Sequence, residues 1–291
     1  MSDIAINNSK ARAYFDLTKF RLSITVVFSS LFGYGLASNS IDFAKMFYLG
    51  IGAFLVTASA NIINQIKEKD LDKLMSRTEK RPLPSGRLSV SEALAFCVIC
   101  GVIGLSILLY VFNFKVFCLS LLSLLLYGFV YTPLKRVGPI AVAVGALPGA
   151  FPPMIGWIAF SDTFRLEPGI LFAIQFFWQF PHFWAIAWVT DEDYAKAGFK
   201  LLPSKGGTDL NSAIQMMIYT LFLIPLCWIP YYLKMTGINS GVIAMICSIL
   251  FLAQTFYLMK NRNRKSALML MFGSFIYLPV VQLAYLFDKL H

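Results

Sequence analysis

The sequence predicts an all-α, polytopic membrane protein with about nine transmembrane helices. Three observations carry that prediction. Hydrophobic residues make up 58% of the 291 positions and charged residues only 14%, with a mean hydropathy of +0.68. A soluble domain of this length is neither so apolar nor so poor in charge. Apolar runs long enough to cross a bilayer, roughly 20 residues each, recur along the chain. The basic residues also segregate into alternate loops, as the positive-inside rule requires.

In chain order, residues 1–21 form a polar, amphipathic lead-in, expected on the cytoplasmic side. Apolar segments follow at 22–38, 46–66, 90–111, 113–131, 137–160, 168–190, 212–233, 238–258 and 267–287. The fourth starts at a tight Asn113-Phe114-Lys115 turn. With the N-terminus inside, the lead-in and the even-numbered loops collect 20 of the 25 Lys and Arg residues. The other side holds Lys45, Lys115, Arg165, Lys234 and Lys289. This bias puts the N-terminus in the cytoplasm and the C-terminus outside, in a cell (inner, cytoplasmic) membrane. No Pro/Gly/Ser-rich linker divides the chain, so 1–291 reads as one transmembrane domain.

The composition also excludes some classes. A net charge of +10 is explained by basic loops facing an anionic leaflet, so no nucleic-acid partner is expected. Cys97, Cys100, Cys118, Cys227 and Cys247 all lie inside apolar runs. Cys97 and Cys100 have CxxC spacing but no nearby histidine and no second pair, so they read as small buried hydrophobes. The polar N-terminus lacks the apolar core of a cleaved signal peptide.

One polar stretch stands out against this background. Residues 64–87 carry four acids and seven basic residues, and the stretch begins before the second apolar run has ended. Asn64, Glu68 and Asp72 are spaced i, i+4, i+8, which puts them on one face of a helix. An amide and two carboxylates so placed can hold a hard divalent cation through oxygen. Arg77, Lys80, Arg81 and Arg87 follow and suit a polyanion. Metal-binding oxygens beside guanidinium groups describe a diphosphate site; the alternative is a solvated loop of scattered charge.

Three further stretches are candidates. In Trp178-Gln179-Phe180-Pro181-His182-Phe183-Trp184, His182 is the one histidine inside an apolar run. An ionisable ring there is a functional candidate, or it hydrogen-bonds a carbonyl freed by Pro181. Gln179 is a neutral hydrogen-bonding partner on the same run. Asp191, Glu192 and Asp193, followed by Tyr194, lie at the end of that run and could supply oxygens to a second metal ion. In Tyr127 to Arg136, Tyr131, Lys135 and Arg136 stand at a helix end, where the two cations either anchor the helix or reach phosphates. Residues 145–157, with Gly145, Pro148, Pro152, Pro153 and Gly156, serve close helix packing or a local break that widens a cavity.

Together these stretches resemble the UbiA superfamily of intramembrane prenyltransferases, and within it the haem-directed branch. Asn64-x3-Glu68-x3-Asp72 followed by Arg77-Thr78 and Arg81-Pro82-Leu83 is similar to the first acid-rich motif. The run from Trp178 through Asp191 to Tyr194 and Gly198 is similar to the second region of that branch. The Tyr131-Thr132-Pro133-Leu134-Lys135-Arg136 and 145–157 stretches, and the Leu17-Thr18-Lys19-Phe20-Arg21 lead-in, match it as well. The resemblance covers residues from about 14 to 203; the last three spans match in hydropathy only. Two departures stand out. Glu68 replaces the usual aspartate, and Asp191 and Asp193 replace a pair of aspartates four apart.

The resemblance implies a bundle with a central cavity open toward the cytoplasmic side. It implies transfer of a farnesyl group from farnesyl diphosphate to a vinyl group of haem b, which is a substrate rather than a cofactor. Mg²⁺ would be held by Asn64, Glu68, Asp72 and Asp191 or Asp193. Arg77, Arg81 and Lys135 would neutralise the leaving group. His182, Gln179, Tyr131, Arg136 and Tyr194 would contact substrates. A haem A synthase or an oxidase assembly factor would receive the product. Two alternatives stay open on the residues alone: a related enzyme acting on a quinone precursor or other aromatic acceptor, and a membrane transporter.

Overall fold

The computed structural model describes residues 2–205 and 207–290, with side chains from Lys10 onward. Among the described residues nine helices are long and apolar enough to cross a membrane. They are Phe20–Ala37, Phe43–Lys67, Val90–Val111, Phe114–Leu134, Ile140–Ser161, Leu166–Val189, Leu210–Tyr232, Ile238–Asn261 and Arg264–Phe287, called here the first to ninth spans. A further helix, Ser2–Leu17, precedes them. It turns Ala13 and Leu17 inward, fully buried against Ile62, Leu83 and Cys97.

Each span packs on the next, and the ninth returns to the first, so the bundle closes on itself. Cross-packing of the first span on the fifth and of the sixth on the ninth fills the middle. The fifth and sixth spans are the most enclosed, with 61% of their apolar windows buried against 28% for the third, fourth and eighth. These last three carry much of the bundle's exposed apolar surface, including Ile99, Val102, Tyr110 and Leu250.

Small residues permit the central crossing. A methyl group added to Gly156 would fall on the Ser30 carbonyl, and one on Gly33 on the Pro153 carbonyl. Lipid offers helices no solvophobic reason to associate, so such close backbone contact is a main source of cohesion. The fifth span stays helical through Pro148, Pro152 and Pro153, so the prolines do not break it. Pro152 and Pro153 release the carbonyls of Pro148 and Gly149. Ser123 Oγ donates to the first at 3.3 Å and Gln175 Nε2 to the second at 2.7 Å. Neighbouring spans thus satisfy groups that lipid could not.

Two irregularities place the polar side chains at the basic face. The second span ends at Lys67, Glu68 caps it, and a short helix Lys69–Asp72 follows. The i→i−4 ladder nevertheless continues, from Glu68 N to Asn64 O at 2.9 Å and from Asp72 N to Glu68 O at 2.7 Å. The three expected residues therefore keep a common face across the bend. In the fourth span, Leu126–Tyr131 is wound as a π-helix, a form common at functional sites. Thr132 Oγ1 donates to the Tyr127 carbonyl at 2.9 Å; just beyond it Thr132 and Lys135 meet Asn64 and Glu68, while Tyr131 packs on Gly145 of the fifth span. This widening also carries the fourth span past Pro133 to Leu134, beyond its expected end at 131.

Candidate active site

At the basic face the oxygen side chains of Asn64, Glu68 and Asp72 are 1%, 4% and 0% exposed. Each is met by a basic group from another part of the chain. Lys19 Nζ donates to Asn64 Oδ1 at 2.9 Å. Lys135 Nζ lies 2.8 Å from Glu68 Oε1 and donates to Oε2 at 3.1 Å. Arg81 Nη1 reaches both Asp72 oxygens, at 2.9 and 2.8 Å. Asn64 in turn donates through Nδ2 to Thr132 Oγ1 at 3.2 Å. Buried carboxylates persist as ions only when paired and hydrogen-bonded, and here Lys135 and Arg81 supply that pairing for Glu68 and Asp72.

Lys19 owes its place to the loop that ends the lead-in helix. Gln65 Nε2 and Asn61 Nδ2 donate to the Leu17 and Thr18 carbonyls at 2.8 and 3.4 Å. These bonds hold the helix end down, and the chain reverses at Lys19 with φ 48°, in the left-handed region. Burial, followed by the nearby Arg81 and Lys135 charges, pushes the Lys19 ammonium well below its ordinary pKa. Lys135 is displaced the other way: burial is the largest single influence and opposes its charge, but the Glu68 carboxylate together with Tyr127 and Tyr194 raises it. Its ammonium also sits over the Tyr131 ring, 4.9 Å from the centroid, and over Phe199 at 5.4 Å. Tyr131 lies on Gly145, where a Cβ would meet the ring at 2.7 Å.

The segment 73–88 folds over the site as a cap. Thr78 Oγ1 donates to the Asp72 carbonyl at 2.8 Å, and Met75, Thr78 and Leu83 are buried. The segment after the sixth span meets it. Met75 packs on Ala197 and Phe199, and Arg77 lies 6.0 Å over the Tyr194 ring. Asp193 joins the two segments: its oxygens accept from Ser76 N, Ser76 Oγ and Arg77 N at 3.3–3.4 Å and from Lys196 at 2.9 Å. The Lys196 contact, despite some burial, and the two backbone amides hold the Asp193 carboxyl below its usual range. Asp191, partly buried on the helix Asp191–Lys196, is raised by burial and by Glu192.

The remaining expected residues lie elsewhere. Gln179 Nε2 donates to the Ala146 and Gln175 carbonyls at 3.0 and 3.2 Å, between the fifth and sixth spans. His182, 9% exposed, shares a hydrogen bond of 2.8 Å between Nδ1 and Ser274 Oγ of the ninth span. It stacks on Trp178 with centroids 4.4 Å apart and meets Phe275 edge-on. Arg136 is exposed and lines a cleft outside the Glu68–Lys135 pair. Lys19 and Thr132 were not among the expected site residues. Lys19 had one sequence signal, its place in the Leu17-Thr18-Lys19-Phe20-Arg21 stretch at the start of the first span.

The residues suit a divalent cation. Two buried carboxylates and an amide offer hard oxygen donors. Glu68 Oε1, close to Lys135 but off the hydrogen-bonding direction, has no hydrogen-bond partner. No group of three His, Cys, Asp or Glu side chains gathers among the described residues, so a metal ion here would depend on Asn64 or on oxygens of a bound ligand.

A model of the UbiA prenyltransferase family matches residues 26–278. The chain belongs to this family. That membership sets aside the transporter reading. A protoheme IX farnesyltransferase of Cytophaga hutchinsonii is 55% identical over 284 residues, covering 97% of this chain and 99% of that protein. The mitochondrial protoheme IX farnesyltransferase of Arabidopsis thaliana is 37% identical, covering 93% of this chain and 63% of that protein. A solved structure reported for digeranylgeranylglyceryl phosphate synthase superposes with a TM-score of 0.80 at 26% identity, covering 96% of this chain and 98% of that one. A UbiA homologue from Archaeoglobus fulgidus bound to DMAPP and Mg²⁺ shares the fold, with a TM-score of 0.64 at 16% identity over 91% of this chain and 99% of that one.

Proposed function

We propose that this protein transfers the farnesyl group of farnesyl diphosphate to a vinyl group of haem b, giving haem O and diphosphate. One observation carries the diphosphate half: three basic side chains converge on three buried oxygen donors at one end of an apolar bundle. The name shared by relatives that match nearly the whole chain supports haem as the acceptor. The excess of basic residues on the site's face supports a cytoplasmic site in the cell membrane.

Asn64, Glu68 and Asp72 would hold Mg²⁺, and Asp191 is the acid left to join them, since Asp193 is engaged with Ser76 and Arg77. Mg²⁺, when bound, supplies positive charge to the diphosphate oxygens and so favours their departure. Lys19, Arg81 and Lys135 would turn from the protein oxygens to the diphosphate, and Arg77 would close from the cap. Preorganised charge of this kind is usually the largest contribution to such a step. The C1–O bond breaks and its electron pair leaves with the diphosphate. The outer vinyl carbon then bonds to C1, and water adds to the inner carbon with loss of a proton. Tyr131 would present its face to the developing cation. His182 would meet the acceptor through Nε2, which makes no hydrogen bond among the described residues. The expected recipient of haem O is a haem A synthase or an oxidase assembly factor.

The reading is tested by incubating membranes that contain the protein with farnesyl diphosphate and either haem b or 4-hydroxybenzoate. Haem O should form from the first and no prenylated product from the second; the reverse pattern would reassign the acceptor. Lys19→Gln should weaken farnesyl diphosphate binding tenfold to a hundredfold, as loss of a charge-assisted hydrogen bond of about 1.5–3 kcal/mol implies. Lys19→Arg should recover part of it in the same titration. Asp193→Asn should slow turnover by less than about fivefold, because an exposed pair contributes about 0–1 kcal/mol. Its apparent Mg²⁺ affinity should stay unchanged; a large fall would make Asp193 a metal ligand.

A further inference from the structure

We infer that the cleft between the ends of the second and fourth spans binds the two propionate carboxylates of the acceptor, with Lys67 and Arg136 as their anchors. This rests on haem b being the acceptor. The cleft measures about 420 Å³, within the range of small-molecule sites, roughly 300–1,000 Å³. Lys67 and Arg136 line it, Leu71 and Val137 give it apolar walls, and Glu68 is shared with the diphosphate site.

Like Lys69, Arg77, Lys80 and Lys200, its two cations carry no ion pair among the described residues, and they alone of that set line the cleft. Lys135, Arg81, Arg87 and Lys196 are each paired with a carboxylate. Lys67 and Arg136 have no acidic partner among the described residues. Lys67 instead holds its ammonium over the Phe129 ring, 4.4 Å from the centroid. Phe129 and Val137 are 49% and 70% exposed. The cleft therefore joins apolar surface, with Phe129 beside it under Lys67, to unpaired positive charge at the end of the spans, where membrane meets water. A flat apolar macrocycle with two carboxylates on one edge has the complementary pattern. Inorganic diphosphate has no use for the apolar walls, and its charge is already met from the other side of Glu68 by Lys19, Arg81 and Lys135.

The test is a titration of the full-length protein in nanodiscs of zwitterionic phosphatidylcholine, with haem b binding followed by its absorbance. The variants are Lys67→Gln, Arg136→Gln and the pair together. The double variant should weaken haem b binding at least about tenfold, the loss that even one charge-assisted contact would bring, while farnesyl diphosphate affinity and melting temperature hold. Haem b dimethyl ester, which lacks the carboxylate charges, should bind the unmutated protein about as weakly as the double variant binds haem b. This second arm needs no mutation. Haem b binding that survives in the double variant, or an ester that binds as tightly as the free acid, would overturn the assignment. A matching loss of farnesyl diphosphate affinity would give the cations to the diphosphate instead. If the unmutated protein binds farnesyl diphosphate but not haem b, the acceptor itself is wrong and the cleft assignment falls with it.

Discussion

Asp72→Asn is expected to reduce prenyl transfer by about 10³-fold, with the protein still folded. The change keeps the shape of the side chain and removes its charge. Asp72 is fully buried, and both its oxygens accept from a single nitrogen of Arg81. Without the carboxylate, a divalent cation loses one of its two charged donors from this stretch, and Arg81 loses the group that aims it. Removing one electrostatic contributor to a departing anion typically costs about 10²–10³-fold in rate; here two contributors are disturbed together. Arg81 keeps partial access to water, with 22% of its side chain exposed. The stability loss should therefore stay near 1–3 kcal/mol, below that of stranding a fully buried ion. Turnover at saturating farnesyl diphosphate, with melting temperature measured in parallel, checks both parts. Activity within tenfold of the unmutated protein would remove Asp72 from the metal site.

Gly156→Val should have the largest effect on stability. The new side chain would occupy the place of the Ser30 carbonyl where the first and fifth spans cross. The obstacle is backbone within a helix, so no rotamer change relieves it. The spans must separate, and Gly33 would then lose its own contact with Pro153 about one turn away. Overpacking of this kind costs about 1–3 kcal/mol, and the second lost contact adds to it. The expected result is a lower melting temperature in detergent and poor membrane accumulation. Gly169→Val makes a suitable control, because a Cβ there meets no neighbour within 4 Å, and it should behave as the unmutated protein. Equal stability of the two variants would contradict the close crossing.

The nine spans were legible because lipid imposes a plain rule on the chain: long apolar runs separated by charge. The third span was expected at 90–111 and is found at Val90–Val111. The fourth ran longer than expected because its π turn, which leaves no pattern in hydropathy, carries the helix past Pro133. The acid-rich stretch was legible through the helical spacing of Asn64, Glu68 and Asp72, and it survives the bend at Glu68 because the hydrogen-bond ladder is unbroken. Lys19 was not read as a site residue, since its position depends on Gln65 and Asn61 holding a helix end from another segment. Composition could not separate Asp191 from Asp193. The difference lies in the docking of the 73–88 segment, which engages one and leaves the other. The sequence set His182 apart as ionisable and Gln179 as a neutral hydrogen-bonding residue, but specified a partner for neither. Packing sends one to backbone carbonyls and the other to Ser274.

The central claim is the reaction, and haem analysis tests it most directly. Haems extracted from cells with and without this protein should be compared by mass spectrometry. A haem carrying a hydroxyethylfarnesyl group should appear only when the protein is present, and it should vanish with Asp72→Asn. Identical haem profiles in cells that make the intact protein and in cells that lack it would contradict the account.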